Sequence, residues 1–158
     1  MPEFKSRRFE ISHAQHLEGS PSEVFPLLCP TREYDWIETW SCELIQSASG
    51  FAEPNCVFST AVPHAEQELW IVSRYEPARA IEFVKFAADL YVVKYNITLS
   101  PLEGGRTLAV WSQIFTGLTA AGNDYVDSID RSAYHARMEH LERQMNHYLA
   151  TGQMLVAA

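Results

Sequence analysis

The sequence predicts an α+β domain: one antiparallel sheet of about six to seven strands, two short helices after the first strand, and one long helix near the C-terminus. Three observations carry this. Apolar residues recur with period two in consecutive short segments separated by tight-turn signals, which is how an antiparallel sheet reads. A helix-start signature, Ser20-Pro21-Ser22-Glu23, interrupts that series after its first member. From about residue 123 to 151 the chain has neither Pro nor Gly, and helix formers are frequent.

The first strand is expected over 9–17, where Phe9, Ile11, His13, Gln15 and Leu17 share one face and Arg8, Glu10, Ser12 and His16 the other. Gly19 ends it. Ser20 is the N-cap of the first short helix, with Pro21 at its first position and Glu23 completing a capping box. Pro26 lacks the N–H needed further in, which keeps this helix short or bent. Pro30 and Thr31 restart the chain, and Glu33 and Asp35 suit the positive end of a second short helix leading to Trp36, Ile37 and Trp40.

Strands follow at 42–47, 56–62, 68–75, 80–86, 90–99 and 107–116, with Pro63 and the turn-rich 47–55 and 101–106 between some of them. In 90–99, Tyr91, Val93, Tyr95, Ile97 and Leu99 form one face and Lys94, Asn96 and Thr98 the other. Two registers are open for Thr107 to Thr116: either Ala109, Trp111, Gln113 and Phe115 face inward, or Leu108, Val110, Ser112 and Ile114 do. The first set has more area to bury and is favoured. Thr119 or Asn123 caps the final helix and Gly152 stops it. At 1.5 Å per residue a helix over 123–151 is about 42 Å long, enough to cross a sheet. Its row at spacing four, Tyr125, Ile129, Ala133, Arg137, Leu141, Met145, Leu149, is apolar except for Arg137. With no internal repeat or linker, residues 1–158 read as a single domain.

At 47% hydrophobic and 20% charged residues, the composition is that of a folded domain. The net charge of -8 argues against partners that present phosphate backbones or anionic lipid surfaces. The expectation is therefore no nucleic acid and no membrane insertion. No run approaches the ~18 apolar residues of a membrane span, and the N-terminus has no signal-peptide core. Cys29, Cys42 and Cys56 are odd in number and fit no zinc spacing, so they read as free thiols in a reducing, cytoplasmic setting. Both monomer and homodimer are left open.

In this order and spacing, SPSEVFPLLCP after the first strand, REYDWIETW, EFVKFAADLYVVKYNITL and FTGLTAAGNDYV resemble the helix-grip superfamily, also called START-like or birch-pollen-allergen-like. More narrowly they resemble its bacterial SRPBCC, polyketide-cyclase-like members. The resemblance spans nearly the whole chain. It implies a curved sheet gripping the long helix around an elongated, often apolar cavity, closed at one end by the two short helices. Trp36 and Trp40 are then plugs or walls at that end.

The candidate residues for such a pocket are His13, Gln15, Trp36, Trp40, Tyr91, Tyr95, Trp111, Gln113, Arg137, Leu141 and Met145. The aromatic residues combine apolar area with a polar tip, which suits a mostly apolar site with a few anchors. Arg137 either meets a ligand carboxylate at the pocket mouth, pairs with a neighbouring acid, or lays its stem on the surface. No metal site is expected. His135, Glu139 and His140 have the spacing H-x-x-x-E-H, which is not that of a zinc hydrolase, and His64 and Glu66 lack the cysteines of a zinc deaminase. No nucleophile elbow, P-loop or dinucleotide fingerprint occurs, Cys29 has no activating base nearby in sequence, and no cofactor is implied.

Three functions are weighed. The first is binding of a small or medium apolar ligand (lipid, aromatic polyketide-like or isoprenoid) without catalysis. The second, from the resemblance, is a cyclase- or aromatase-like or dehydratase-like enzyme using His13 as base with Tyr95 and Arg137. The third is a co-chaperone-like protein-binding module, which calls for a sealed interior and an exposed apolar patch.

Overall fold

Alternation and capping place the elements in a computed structural model that describes residues 3–157. In chain order they are β1 (Arg8–Leu17), α1 (Pro21–Val24), β2 (Glu43–Gln46), β3 (Val57–Val62), β4 (Ala65–Glu76), β5 (Ala80–Ala87), β6 (Tyr91–Leu102), β7 (Arg106–Gly117), α2 (Ala120–Asp127) and α3 (Arg131–Thr151). The seven strands form one sheet in the order β1-β7-β6-β5-β4-β3-β2, each pair antiparallel. This is the helix-grip arrangement.

Ser20 and Glu23 form the reciprocal capping box, and Pro26 turns α1 into a 3₁₀ turn over Phe25–Leu28. The second short helix is only a 3₁₀ turn at Glu33–Asp35, so Trp36 follows it rather than lying within it. The first register of β7 is the one adopted: Thr107, Ala109, Trp111, Gln113 and Phe115 are buried and the residues between them are not. The inward faces of β1 and β6 are those expected. The strand expected at 68 begins at Ala65, because Pro63 and His64 form a tight hairpin from β3.

The helix expected over 123–151 is two helices. Thr119 caps α2 by accepting from the Gly122 N–H, and Gly122 lies so close to the Leu90 carbonyl that a Cβ there would collide with it. Ser128 Oγ donates to the Tyr125 carbonyl at 2.6 Å, and Asp130 accepts from the Ala133 N–H at 3.1 Å to start α3. Neither Gly nor Pro marks this break. The polar side chains of Ser128 and Asp130 compete for the helical backbone groups instead. Gly152 ends α3 in the left-handed conformation, φ 70°.

α3 packs along β1, one of the two edge strands of the sheet. The His16 N–H donates to Glu142 Oε2 at 2.7 Å and the Glu18 N–H to Asn146 Oδ1 at 2.9 Å. Asn146 Nδ2 in turn donates to the His16 carbonyl at 3.1 Å, so helix side chains satisfy backbone groups that no strand reaches. Gln15 donates to the Met138 carbonyl at 2.8 Å, and the Nδ1 atoms of His13 and His135 share a hydrogen bond of 2.8 Å. The main core lies between sheet, α1 and α3, around Leu17, Leu28, Trp36, Ile81, Met138 and Met145. A smaller cluster around Tyr91, Val93, Phe115 and Val126 lies under α2.

Candidate functional site

Where α3 stands away from the middle of the sheet, a cavity of about 740 Å³ opens. Its floor is the inward face of β3 to β7, its roof is Tyr134, Arg137, Met138 and Leu141 of α3, and its end is Glu33, Trp36 and Trp40. Trp36 and Trp40 donate their indole N–H groups to the carbonyls of Leu27 and Pro30, at 2.8 and 2.7 Å. Their polar ends are thus occupied, and apolar surface is left for the cavity. Aromatic rings continue along the floor. Phe58 stacks on Trp70 at 5.2 Å between centroids, and Tyr95 stands 6.1 Å from both Trp70 and Trp111.

One wall is polar. The ammonium of Lys85 lies 3.4 Å from Glu68 Oε2, with side chains only 12% and 9% exposed, and sits 4.6 Å above the Trp70 ring. Tyr91 donates its hydroxyl proton to Glu68 at 2.6 Å. His64 Nε2 lies 2.7 Å from the same hydroxyl, so it must be the donor to it. A carboxylate on the cavity wall is therefore linked through a phenol to an imidazole in the exposed β3–β4 turn.

Burial pushes the Lys85 pKa down, and Glu68 opposes that shift. Burial, aided by Glu68, pushes the Tyr91 phenol far up. Burial likewise raises Tyr95 and Tyr134, so these phenols keep their protons at neutral pH. The carboxyl of Glu33 is held well above the usual carboxylate range by burial, with Arg137 acting weakly against it.

Three buried polar atoms on the cavity wall have no protein partner: Trp111 Nε1, Gln113 Oε1 and Tyr134 Oη. Trp111 and Gln113 are successive inward residues of β7, 4% and 7% exposed, and Tyr134 faces them from α3. In a folded protein such atoms are normally paired, by protein groups, ordered water or a ligand.

Of the residues expected at the pocket, Trp36, Trp40, Tyr95, Trp111, Gln113, Arg137 and Leu141 line this cavity. His13 and Gln15 do not; they join β1 to α3. Met145 is enclosed in the main core, and Tyr91 stands behind Glu68. The expected triad of His13, Tyr95 and Arg137 is therefore not assembled around the cavity. Sequence reasoning missed Glu68, Lys85, Tyr134, Glu33 and the part played by His64. Isolated charges in strands look like surface residues until a partner across the sheet is known. A smaller pocket of about 380 Å³ lies between the first short helix and the β4–β5 turn, against Phe25, Tyr75 and Ile81. Among the described residues no three His, Cys, Asp or Glu side chains gather as metal ligands, and no helix is long and apolar enough to cross a membrane.

No protein-family model matches the chain, and no curated protein matches it in sequence. Solved structures do match. CV1439 from Chromobacterium violaceum superposes with a TM-score of 0.59 at 16% identity, over 87% of this chain and 94% of its own. CalU16 from Micromonospora echinospora gives 0.59 at 15% identity, over 96% of this chain and 84% of its own. DynU16, of the dynemicin biosynthetic locus, gives 0.55 at 13% identity, over 96% of this chain and 49% of its own. At such identities the likeness shows a shared fold.

Proposed function

We propose that the protein binds a small or medium apolar ligand, such as an aromatic polyketide-like molecule, an isoprenoid or a lipid, in the cavity beneath α3. The observation that carries this reading is the pairing of an aromatic-walled space of about 740 Å³ with three buried polar atoms that the protein leaves unpaired. Ligand sites commonly have this size and character, mostly apolar with a few fixed polar groups. The fold shared with DynU16, a protein of a biosynthetic locus, agrees with a small-molecule occupant. The roomy interior is not what a protein-binding module of this fold calls for.

One observation favours a second reading, an acid–base enzyme of the cyclase or aromatase kind. Glu68 meets the cavity beside the Lys85 ammonium and is connected to the surface through Tyr91 and His64. A carboxylate base next to a cation that stabilises an oxyanion is what proton abstraction beside a carbonyl requires.

Mass spectrometry of the gently purified protein, native and then denatured, tests binding. The expected result is a released mass that recurs across preparations. A clean apo mass, together with no saturable quenching of tryptophan fluorescence by an added apolar probe, overturns the reading. A released molecule that returns chemically changed after incubation would favour the enzyme.

A further inference from the structure

The unused hydrogen-bonding capacity of the cavity is lopsided. On the acceptor side, the Glu68 carboxylate is engaged by Tyr91 and Lys85, and Gln113 Oε1 is the unpaired acceptor among the buried wall atoms. On the donor side stand the Trp111 N–H, the remaining N–H groups of Lys85 and the whole guanidinium of Arg137, while the Tyr134 hydroxyl can donate or accept. Burial favours the protonated form of Glu33, and Arg137 acts against that shift.

The charges are lopsided in the same sense. Lys85 and Glu68 cancel. Arg137 is exposed at the rim of the cavity, and the ion pairs among the described residues do not include it. Arg8, Arg79, Arg106, Arg131 and Arg143 likewise form no ion pair among the described residues, and what sets Arg137 apart is its place on the cavity lining. Tyr134 precedes Arg137 by one turn on α3 and Leu141 follows by one turn, so the guanidinium is on the same helix stripe that roofs the cavity.

Resting on the binding reading above, we propose that the ligand is an apolar molecule carrying an acidic oxygen group, such as a carboxylate, with its apolar body among Trp36, Trp70 and Tyr95 and its anionic end toward Arg137, Trp111 and Tyr134. Guanidinium and indole N–H groups are donors only, and they reward an anionic acceptor more than a neutral one. The cavity mouth is then a local cationic gate on an otherwise acidic surface, favouring entry of an anion by its charged end or retention of an apolar body that enters first.

Two fluorescent probes with the same aromatic frame test this: 1-anilinonaphthalene-8-sulfonate, which is anionic, and N-phenyl-1-naphthylamine, which is not. Each is titrated into the full chain at low salt, read by energy transfer from tryptophan, and each is used to displace the other to establish a common site. The sulfonate is expected to bind at least about tenfold more tightly, an advantage that added salt diminishes. Arg137→Gln is expected to bring the two affinities together without weakening the neutral probe. Arg143→Gln, an exposed residue of the same helix, is expected to leave the ratio unchanged. Equal binding of the two probes, or a ratio that survives Arg137→Gln, overturns the anionic-ligand inference and leaves the apolar cavity standing. Failure of both probes to bind overturns the cavity reading itself.

Discussion

The two flanks of α3 are built on opposite terms. Along β1 the helix meets a strand edge, and its side chains pair with that edge: Glu142 and Asn146 with the backbone of His16 and Glu18, His135 with His13, and the Met138 carbonyl with Gln15. Over the middle of the sheet the same helix has open space beneath it, and Tyr134 faces Trp111 and Gln113 with no bond between any of the three polar atoms. The difference teaches how a helix can be fixed in place and still leave a cavity. Attachment is concentrated on one side, so the other needs no packing of its own. Polar groups along β1 are mostly paired with the helix, Gln15 Oε1 excepted, and three over the cavity have no protein partner.

The hardest test of that division is the polar wall of the cavity. Glu68→Leu leaves the mostly buried Lys85 ammonium without its carboxylate and is expected to lower unfolding free energy by about 3–5 kcal/mol, measured by urea denaturation. Adding Lys85→Met should recover most of it. A single variant as stable as the parent would mean that this pair is not buried in solution.

Along β1, Asn146→Ala removes two backbone contacts at a partly exposed position, and a loss of about 1 kcal/mol is expected. Hydrogen exchange of the Glu18 amide should quicken. No change there would show that the helix is held by its apolar face alone.

Over the cavity the sign reverses. Gln113→Leu deletes an unpaired buried carbonyl oxygen and is expected to leave stability unchanged or raise it by less than about 1 kcal/mol. A loss as large as that of Asn146→Ala would erase the distinction between the two flanks.

Glu33→Gln gives the smallest effect, and its size depends on pH. Burial raises the folded-state pKa of Glu33, so ionisation of the unfolded chain above its ordinary value of 4.5 draws stability away as pH rises toward the folded pKa. The variant should match the parent well below pH 4.5 and be more stable at neutral pH. Parallel stability curves across this range would count against burial of that carboxyl.

Much of the frame was legible because local rules agreed with the final packing. The capping box at Ser20 and Glu23, the alternation of β1 and β6 and the stop at Gly152 all stand as read. The β7 register was legible only through area, since both faces of that strand are rich in apolar residues, and Trp111 decided it. The break between α2 and α3 was hidden because Ser128 and Asp130 are tolerated inside helices, and only their backbone bonds show that they end one helix and start another. For the site, the aromatic wall was visible in the chain and the charges were not. Glu68 and Lys85 are seventeen residues apart, and their meeting depends on how β4 and β5 pair. His13 was correctly placed on an inward face, yet β1 is an edge strand, and inward there means against the helix.

A sheet that does not close into a barrel has two edges, and each invites strand addition from another chain. The β2 edge is protected by being short: four exposed residues, a polar residue at each end and a slip in register between Leu44 and Gln46 leave little to template on. The β1 edge is long and regular, and toward its end its protection is the side chains of Glu142 and Asn146 occupying the backbone groups of His16 and Glu18. Replacing both would do more than weaken the fold. It would uncover a ready template for intermolecular pairing, and protein concentration rather than temperature would decide whether such a variant stays in solution.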